Sequence, residues 1–218
     1  MKKSVIVLTA IIGAGLLVFS GCSNGDTFTE KTYSSGETTV NSVIIDVSDR
    51  EVEVTASSDH QIRIDYFESE KEYYTISETD GTLKMTLVFD KEWTDFIGTK
   101  ANKKYRKIKL EVPDALLTNL TVTTTNERIK VIDLEVNESI SLDSNGGDVE
   151  FENLSAGKAI ALTAKDADIT GSVTGGWDDY TIKVTIKKGE SNLVNKDGGE
   201  KTLTVNCNNG NIDIDFMK

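Results

Sequence analysis

Residues 140–151 read "ISLDSNGGDVEF". Apolar and polar residues alternate, a turn of Asn, Gly and Asp follows, and a second alternating run closes the stretch. The same pattern stands twenty residues later in residues 160–171, "IALTAKDADITG", and twenty residues earlier in residues 120–131, "LTVTTTNERIKV". Alternation with a period of two over short runs rich in Val, Ile and Thr marks half-buried strands.

Aligned this way, residues 118–218 repeat. An apolar residue heads a strand at Leu120, Ile140, Ile160, Ile182 and Leu203, spaced 20, 20, 22 and 21 residues apart. Nine residues after each stands Ile129, Val149, Ile169, Ser191 and Ile212. A fixed period near 20 with two short strands per unit is the mark of a repeat architecture, in which each coil stacks on the last and buries a continuous apolar column. An antiparallel meander could also give the nine-residue offset. The coil is preferred because both columns drift together through the longer unit. Gly147, Gly189 and Gly210 share one register in the turns, as expected where the backbone takes a left-handed conformation that costs glycine least. Cys207 falls at the inward position matched by Thr124, Ser144, Ala164 and Ile186, where a thiol packs as a small hydrophobe.

Upstream, residues 43–115 alternate less regularly, in "VIIDV", "EVEVT", "QIRIDYF", "YYTIS", "TLKMTLVF" and "RKIKLEV". Asp80-Gly81, between two such runs, predicts a tight hairpin because both central residues tolerate positive φ. The chain's single proline, Pro113, marks a break between this irregular antiparallel β section and the repeats. The expected fold is therefore all-β, a β-solenoid-like repeat domain preceded by that section, with 43–218 as one domain.

The N-terminal residues 1–21 combine Lys2 and Lys3, an apolar run from Val5 to Phe19, and small residues before Cys22. That layout is an export leader, and the cysteine after it resembles the lipobox of bacterial lipoproteins, with Phe19 where leucine is commonest. The resemblance implies diacylglycerol on Cys22 and a protein held at the extracytoplasmic face of a bacterial membrane, since two or more acyl chains give stable anchoring. Residues 22–42, rich in Ser, Thr, Gly and charge, read as a flexible tether that holds the domain off the membrane. Beyond the leader stand 22 basic against 36 acidic residues, a formal charge of −14. Such a chain is repelled by nucleic acid.

Alternation, the break at Val112-Pro113, and turns such as "NGGDVEF" and "NNGNIDIDF" together resemble the bacterial DUF4097 adhesin-like family, most closely in Asp178–Phe216. The resemblance implies an all-β solenoid-like envelope domain and carries over no catalytic residues.

Few residues carry chemistry. His60 is the sole histidine, so a histidine triad or a multi-histidine metal site has no partners. Glu150/Glu152, Asp166/Asp168 and Asp213/Asp215 lie about 7 Å apart along a strand face, yet outward alternation produces such pairs without catalysis. Glycine turns with acidic and amide oxygens offer hard-cation ligands, but their spacing departs from the calcium-binding nonapeptide. No metal, cofactor or catalytic residue is assigned. The candidate binding residues are Trp93, Phe96, Lys100, Lys103, Lys104 and Tyr105, a basic aromatic segment in an acidic protein, of the kind that stacks on sugars or partner side chains. The sequence-level function is a non-catalytic, adhesin-like protein that binds an envelope protein or glycan. An envelope-stress sensor acting on a membrane signalling protein is the alternative, followed by a glycan-active enzyme.

Overall fold

The computed structural model describes residues 27–36, 40–59, 61–90 and 100–218. In chain order the first part contains β1 (Thr29–Ser34), β2 (Ser42–Asp46), β3 (Glu51–Ser57), β4 (Arg63–Glu68), β5 (Glu72–Thr79), β6 (Thr82–Phe89) and β7 (Lys107–Pro113). The second contains β8 (Asn119–Thr124), β9 (Ile129–Ile132), β10 (Glu135–Val136), β11 (Ser139–Ser144), β12 (Val149–Ala156), β13 (Ala159–Ala164) and β14 (Ile169–Thr174). It ends in β15 (Tyr180–Lys188), β16 (Lys201–Asn209) and β17 (Ile212–Met217). Helical structure among the described residues is confined to 3-10 turns at Lys103–Arg106 and Trp177–Asp179.

The predicted columns are present. In one sheet Leu120, Ile140 and Ile160 stand side by side on parallel strands. In the other, Ile129, Val149 and Ile169 do the same. The two sheets face each other, and the inward residues of β8, β11 and β13 are at most 1% exposed. Each coil thus lays a strand in each sheet and closes its apolar residues between them, so the core is one continuous column.

The order of coils departs from the sequence at both ends of the stack. One sheet runs β5-β6-β2-β8-β11-β13-β16-β15, and the other β1-β4-β7-β3-β9-β12-β14-β17. Leu203 pairs directly with Ile160, and Ile182 lies outside it. Ser191 likewise bridges to Ile212 from the outer side. The β16/β17 coil therefore wedges between two that precede it in the chain. At the opposite end, the β2/β3 coil sits between β6/β7 and β8/β9. Parallel ladders tolerate this because the column headed by Leu120 is aliphatic at every coil and the polar residues in the other columns, such as Thr124, Ser144 and Ser191, are small, so neighbours are similar in chemistry.

The first section keeps its antiparallel character, with β5 paired to β6 across the expected hairpin and β4 paired to β7. It also contributes two parallel coils to the same stack, so both sheets continue across Pro113. The Asp80-Gly81 turn forms as expected, with φ of 50° and 75° joining Thr79 to Thr82. A second correction concerns the tether. Residues 29–34, expected as flexible, form β1, which pairs antiparallel with β4 from Thr29↔Glu68 to Ser34↔Arg63.

The shared glycine register has a different cause from the one expected at Gly147. A Cβ on Gly147 would lie 2.1 Å from the Glu127 carbonyl oxygen of the neighbouring coil, and no positive φ is involved. Gly210 meets the Ala167 carbonyl at 2.1 Å and also has φ of +156°. Close approach of stacked backbones selects glycine at Gly147, and conformation adds to it at Gly210. One residue on from these positions, side-chain oxygens tie successive coils. Asp148 Oδ1 accepts the Asp168 N–H at 3.0 Å, Asp168 Oδ1 the Asn211 N–H at 2.7 Å, and Asn211 Oδ1 the Glu190 N–H at 3.0 Å.

Both ends of the stack are partly covered, with β1 left as an exposed edge strand of the second sheet. The outer edge of β15 is covered by the segment after it, where Ile182 and Lys196 exchange backbone hydrogen bonds of 2.7 and 3.0 Å and Asn195 Oδ1 accepts the Val184 N–H at 2.7 Å. Exposed Lys183, Lys187 and Lys188 line the remainder of that strand, which disfavours edge-to-edge association. At the opposite end β5 folds over the core and buries Tyr74.

Candidate functional site

The candidate segment enters the described structure at Lys100 and runs into β7. Trp93, Phe96, His60 and Cys22 lie outside the described residues. Asn102 starts the Lys103–Arg106 turn by accepting the Lys104 N–H on its Oδ1 at 3.1 Å, and the Tyr105 N–H donates to the Asn102 carbonyl at 2.9 Å. This tight turn sends successive side chains in opposite directions. Arg106 goes inward and is buried, while Lys103 and Lys104 are exposed.

Arg106 is the anchor. Its Nε donates to the Ala101 carbonyl at 2.8 Å, Nη1 to the Asp49 carbonyl at 3.4 Å, and the guanidinium pairs with Glu127. It thereby fixes the segment to two further coils. Lys100 closes the outer side with a 2.8 Å bond from Nζ to Asp49 Oδ1, where Asn126 Nδ2 also donates at 2.6 Å. Burial pushes the Asp49 carboxyl up, but the hydrogen bonds from Lys100 and Asn126 and the charges of Lys100 and Arg106 outweigh it and hold the group below its ordinary value. Lys100 is thus a structural partner more than a free cation.

Tyr105 carries the surface. Its ring stacks on Phe28 with centroids 4.9 Å apart and an interplanar angle of 10°, and Phe67 meets it edge-on at 5.5 Å. Lys104 Nζ stands 4.5 Å from the same ring centroid. The result is a half-exposed aromatic triad beside two lysines that, among the described residues, have no carboxylate partner. A hollow of about 650 Å³ opens along β1 and β4, between Thr27, Thr29 and Lys31 on one side and Glu68, Glu70 and Lys71 on the other, and none of the three rings lines it. Planar rings with adjacent cations can stack on apolar or planar groups and pair with anionic oxygens. They supply no nucleophile and no general base.

Of the six residues proposed from sequence, the structure brings Lys103, Lys104 and Tyr105 together on one surface and turns Lys100 toward Asp49. Phe28 and Phe67 were missed as members. Phe28 lies in a polar segment, and only the pairing of β1 with β4 delivers it to Tyr105. Trp177 was also passed over. It sits at the opposite end of the stack, edge-on to Phe216 at 5.2 Å, beside a shallow depression of about 450 Å³ formed with Gly175, Gly176, Met217 and Lys218. The interruption "GGWDDY" at residues 175–180 was the available signal.

At least one carboxylate of each pair takes up a structural partner. Glu150 pairs with Arg128 at 3.1 Å, Asp166 accepts from Asn209, Asp168 holds the Asn211 backbone, and Asp213 accepts from Asn192 Nδ2 at 2.9 Å. Among the described residues, no three His, Cys, Asp or Glu side chains converge on a point where a metal could sit. Cys207 is buried in the column assigned to it, beside Ala164 and Ile186.

No curated protein matches the chain. Among solved structures, a candidate cell adhesion protein from Clostridium sporogenes superposes with a TM-score of 0.61 at 11% identity, covering 88% of this chain and 100% of that one. A candidate adhesin from Bacteroides fragilis gives a TM-score of 0.40 at 14% identity, covering 90% of this chain and 100% of that one. At these identities the likeness to the first is one of fold. Residues 40–218 match the family described as Toastrack DUF4097, a span that begins just before β2, runs to the end of the stack and leaves β1 outside. From that match over both sheets and all the parallel coils, the chain belongs to the Toastrack DUF4097 family.

Proposed function

We propose that this protein is a lipid-anchored, extracytoplasmic, non-catalytic binding module, held by Cys22 and contacting another component of the cell envelope through the corner at Lys103–Tyr105. The leader and the cysteine after it support export and anchoring. The engagement of Glu150, Asp166, Asp168 and Asp213 in bonds between coils supports a non-catalytic role, because a general acid or base must be free to exchange its proton. The observation that carries the reading is the triad of Phe28, Phe67 and Tyr105 flanked by Lys103 and Lys104. It is an irregular, cationic protrusion on an otherwise regular and acidic stack.

The test is a photo-crosslinking amino acid placed at Lys103 in intact cells, alone and together with Tyr105→Ala. One dominant adduct, lost in the double variant while the protein level is unchanged, is the expected result. Adducts that are absent, or identical in both, would refute the assignment of binding to this corner.

A further inference from the structure

We propose that the partner of this corner is the phospholipid headgroup layer of the membrane that holds Cys22, so that the stack stands with its β1–β4–β7 end seated on the bilayer. The inference rests on the lipid-anchored reading above and adds an orientation to it.

Reach is the first argument. Phe28 is already part of the aromatic triad, and β1 is locked to β4 from Thr29 onward. Six peptide units separate Phe28 from Cys22, at most about 20 Å when fully extended. The twenty-residue tether that would hold the domain off the membrane is therefore cut to a fraction of its length. The far end of the stack, seven strand spacings from β5 to β15, lies roughly 34 Å further on at about 4.8 Å per spacing. Anchoring thus brings one end to the bilayer and leaves the other outside.

Charge is the second. Residues 97–110 hold six cations, Lys100, Lys103, Lys104, Arg106, Lys107 and Lys109, and no carboxylate, in a chain whose balance beyond the leader is −14. Arg106, Lys100 and Lys107 are spent on Glu127, Asp49, and Glu51 with Glu53. Lys103 and Lys104 project at the corner where the chain arrives from Cys22; the neighbouring carboxylates are Glu30 on β1 and Glu68 and Glu70 at the end of β4, of which Glu68 pairs with Lys31 at 3.7 Å. An anionic surface repels the acidic body and attracts this corner, so electrostatics and tether select the same orientation. Tyr105 and Phe28 are half-exposed rings of the type that settles at the boundary between headgroups and acyl chains.

The experiment uses the full lipidated chain in phosphatidylglycerol–phosphatidylcholine vesicles carrying a headgroup quencher. An environment-sensitive fluorophore is attached in turn to Lys103→Cys and Asp197→Cys; Cys207 is buried and Cys22 is blocked by lipid. Quenching at position 103 at least three-fold greater than at 197, falling toward the value at 197 in Lys104→Glu or in 0.5 M salt, is the expected result. Equal quenching at both positions, or a signal at 103 indifferent to charge and salt, would overturn the proposal. The mass of the N-terminal peptide separates the two levels. Diacylglycerol on Cys22 with equal quenching refutes the docking alone, whereas an unmodified cysteine refutes the anchored reading and the docking with it. Quenching that needs native envelope fractions and fails on pure lipid assigns the corner to a protein or glycan and also overturns it.

Discussion

Replacing Arg50 with methionine tests what holds the β5 cap on the stack. Arg50 and Glu72 form an ion pair whose side chains are 1% and 6% exposed, and Arg50 Nε also donates to the Tyr74 hydroxyl at 2.8 Å. Arg50 lies between β2 and β3, whereas Glu72 and Tyr74 belong to β5, so the pair reaches past β6 and joins the cap to the β2/β3 coil. Arg50→Met removes the Arg50 cation from the buried Glu72 carboxylate, and breaking one side of a buried ion pair costs about 3–5 kcal/mol. Loss of the donor to Tyr74 adds about 1 kcal/mol. Replacing both members with apolar residues of similar volume removes both buried charges, and such swaps in other proteins are neutral or stabilising. Arg50→Met/Glu72→Leu is therefore expected within about 1–2 kcal/mol of wild type, giving a coupling energy of roughly 2–3 kcal/mol or more between the two sites. Urea denaturation at neutral pH reads the totals. Hydrogen exchange reads the location, with β5 amides losing protection in Arg50→Met while β13 stays protected, since repeat stacks open from their ends. A single variant within 1 kcal/mol of wild type, or a double variant no more stable than Arg50→Met, would refute the reasoning.

Gly210 and Gly198 both have positive φ, but only Gly210 has a carbonyl in the path of a Cβ, whereas nothing lies within 4 Å at Gly198. Gly210→Ala is expected to cost roughly 3 kcal/mol or more, and Gly198→Ala only about 1–2 kcal/mol, in thermal or urea denaturation. Burial, helped by nearby acidic charge, pushes the phenols of Tyr66 and Tyr180 up to about 12. The folded chain keeps these protons between pH 10 and 12 while the unfolded chain releases them, so this contribution is intact below pH 10 and declines as pH rises toward 12. Absorbance titration should show a late phenolate fraction that moves to about pH 10 in denaturant, and a single transition near 10 in the native protein would contradict it. Burial, with the nearby Asp168 and Asp166 charges, also pushes the Cys207 thiol above its ordinary value. A thiol reagent at pH 8 should leave Cys207 unmodified until urea unfolds the core, and rapid native labelling would count against the packed position.

What could be read from residues alone was whatever depends on one coil. Alternation placed Leu120, Ile140, Ile160 and Cys207 inward, because a strand's side chains point to opposite faces and only one face is dry. The nine-residue offset placed Ile129, Val149 and Ile169 in the second sheet, and Asp80-Gly81 fixed a hairpin by conformational demand. The basic aromatic segment was visible from its composition. Its full surface was not, since Phe28 reaches Tyr105 only through the pairing of β1 with β4.

Which coil neighbours which was decided by tertiary structure. The column of Leu120, Ile140, Ile160, Ile182 and Leu203 is aliphatic at every level, and backbone ladders do not distinguish one parallel strand from another, so the local pattern fits either order of Ile182 and Leu203. The chain resolves this by wedging β16 and β17 against β13 and β14, where Leu203 meets Ile160 and Ile212 meets Ile169. Residues 191–199 then cover the outer edge of β15. The same reasoning separates the expected tether from the observed β1. Thr29–Ser34 has too few apolar residues to fold alone, and it gains order only because β4 presents an unpaired edge whose backbone groups need partners. The sequence by itself determined the coil and its inward face, through local periodicity. Coil order, the edge strand and the assembled corner were settled by long-range pairing, because open strand edges and interchangeable columns carry no local signature.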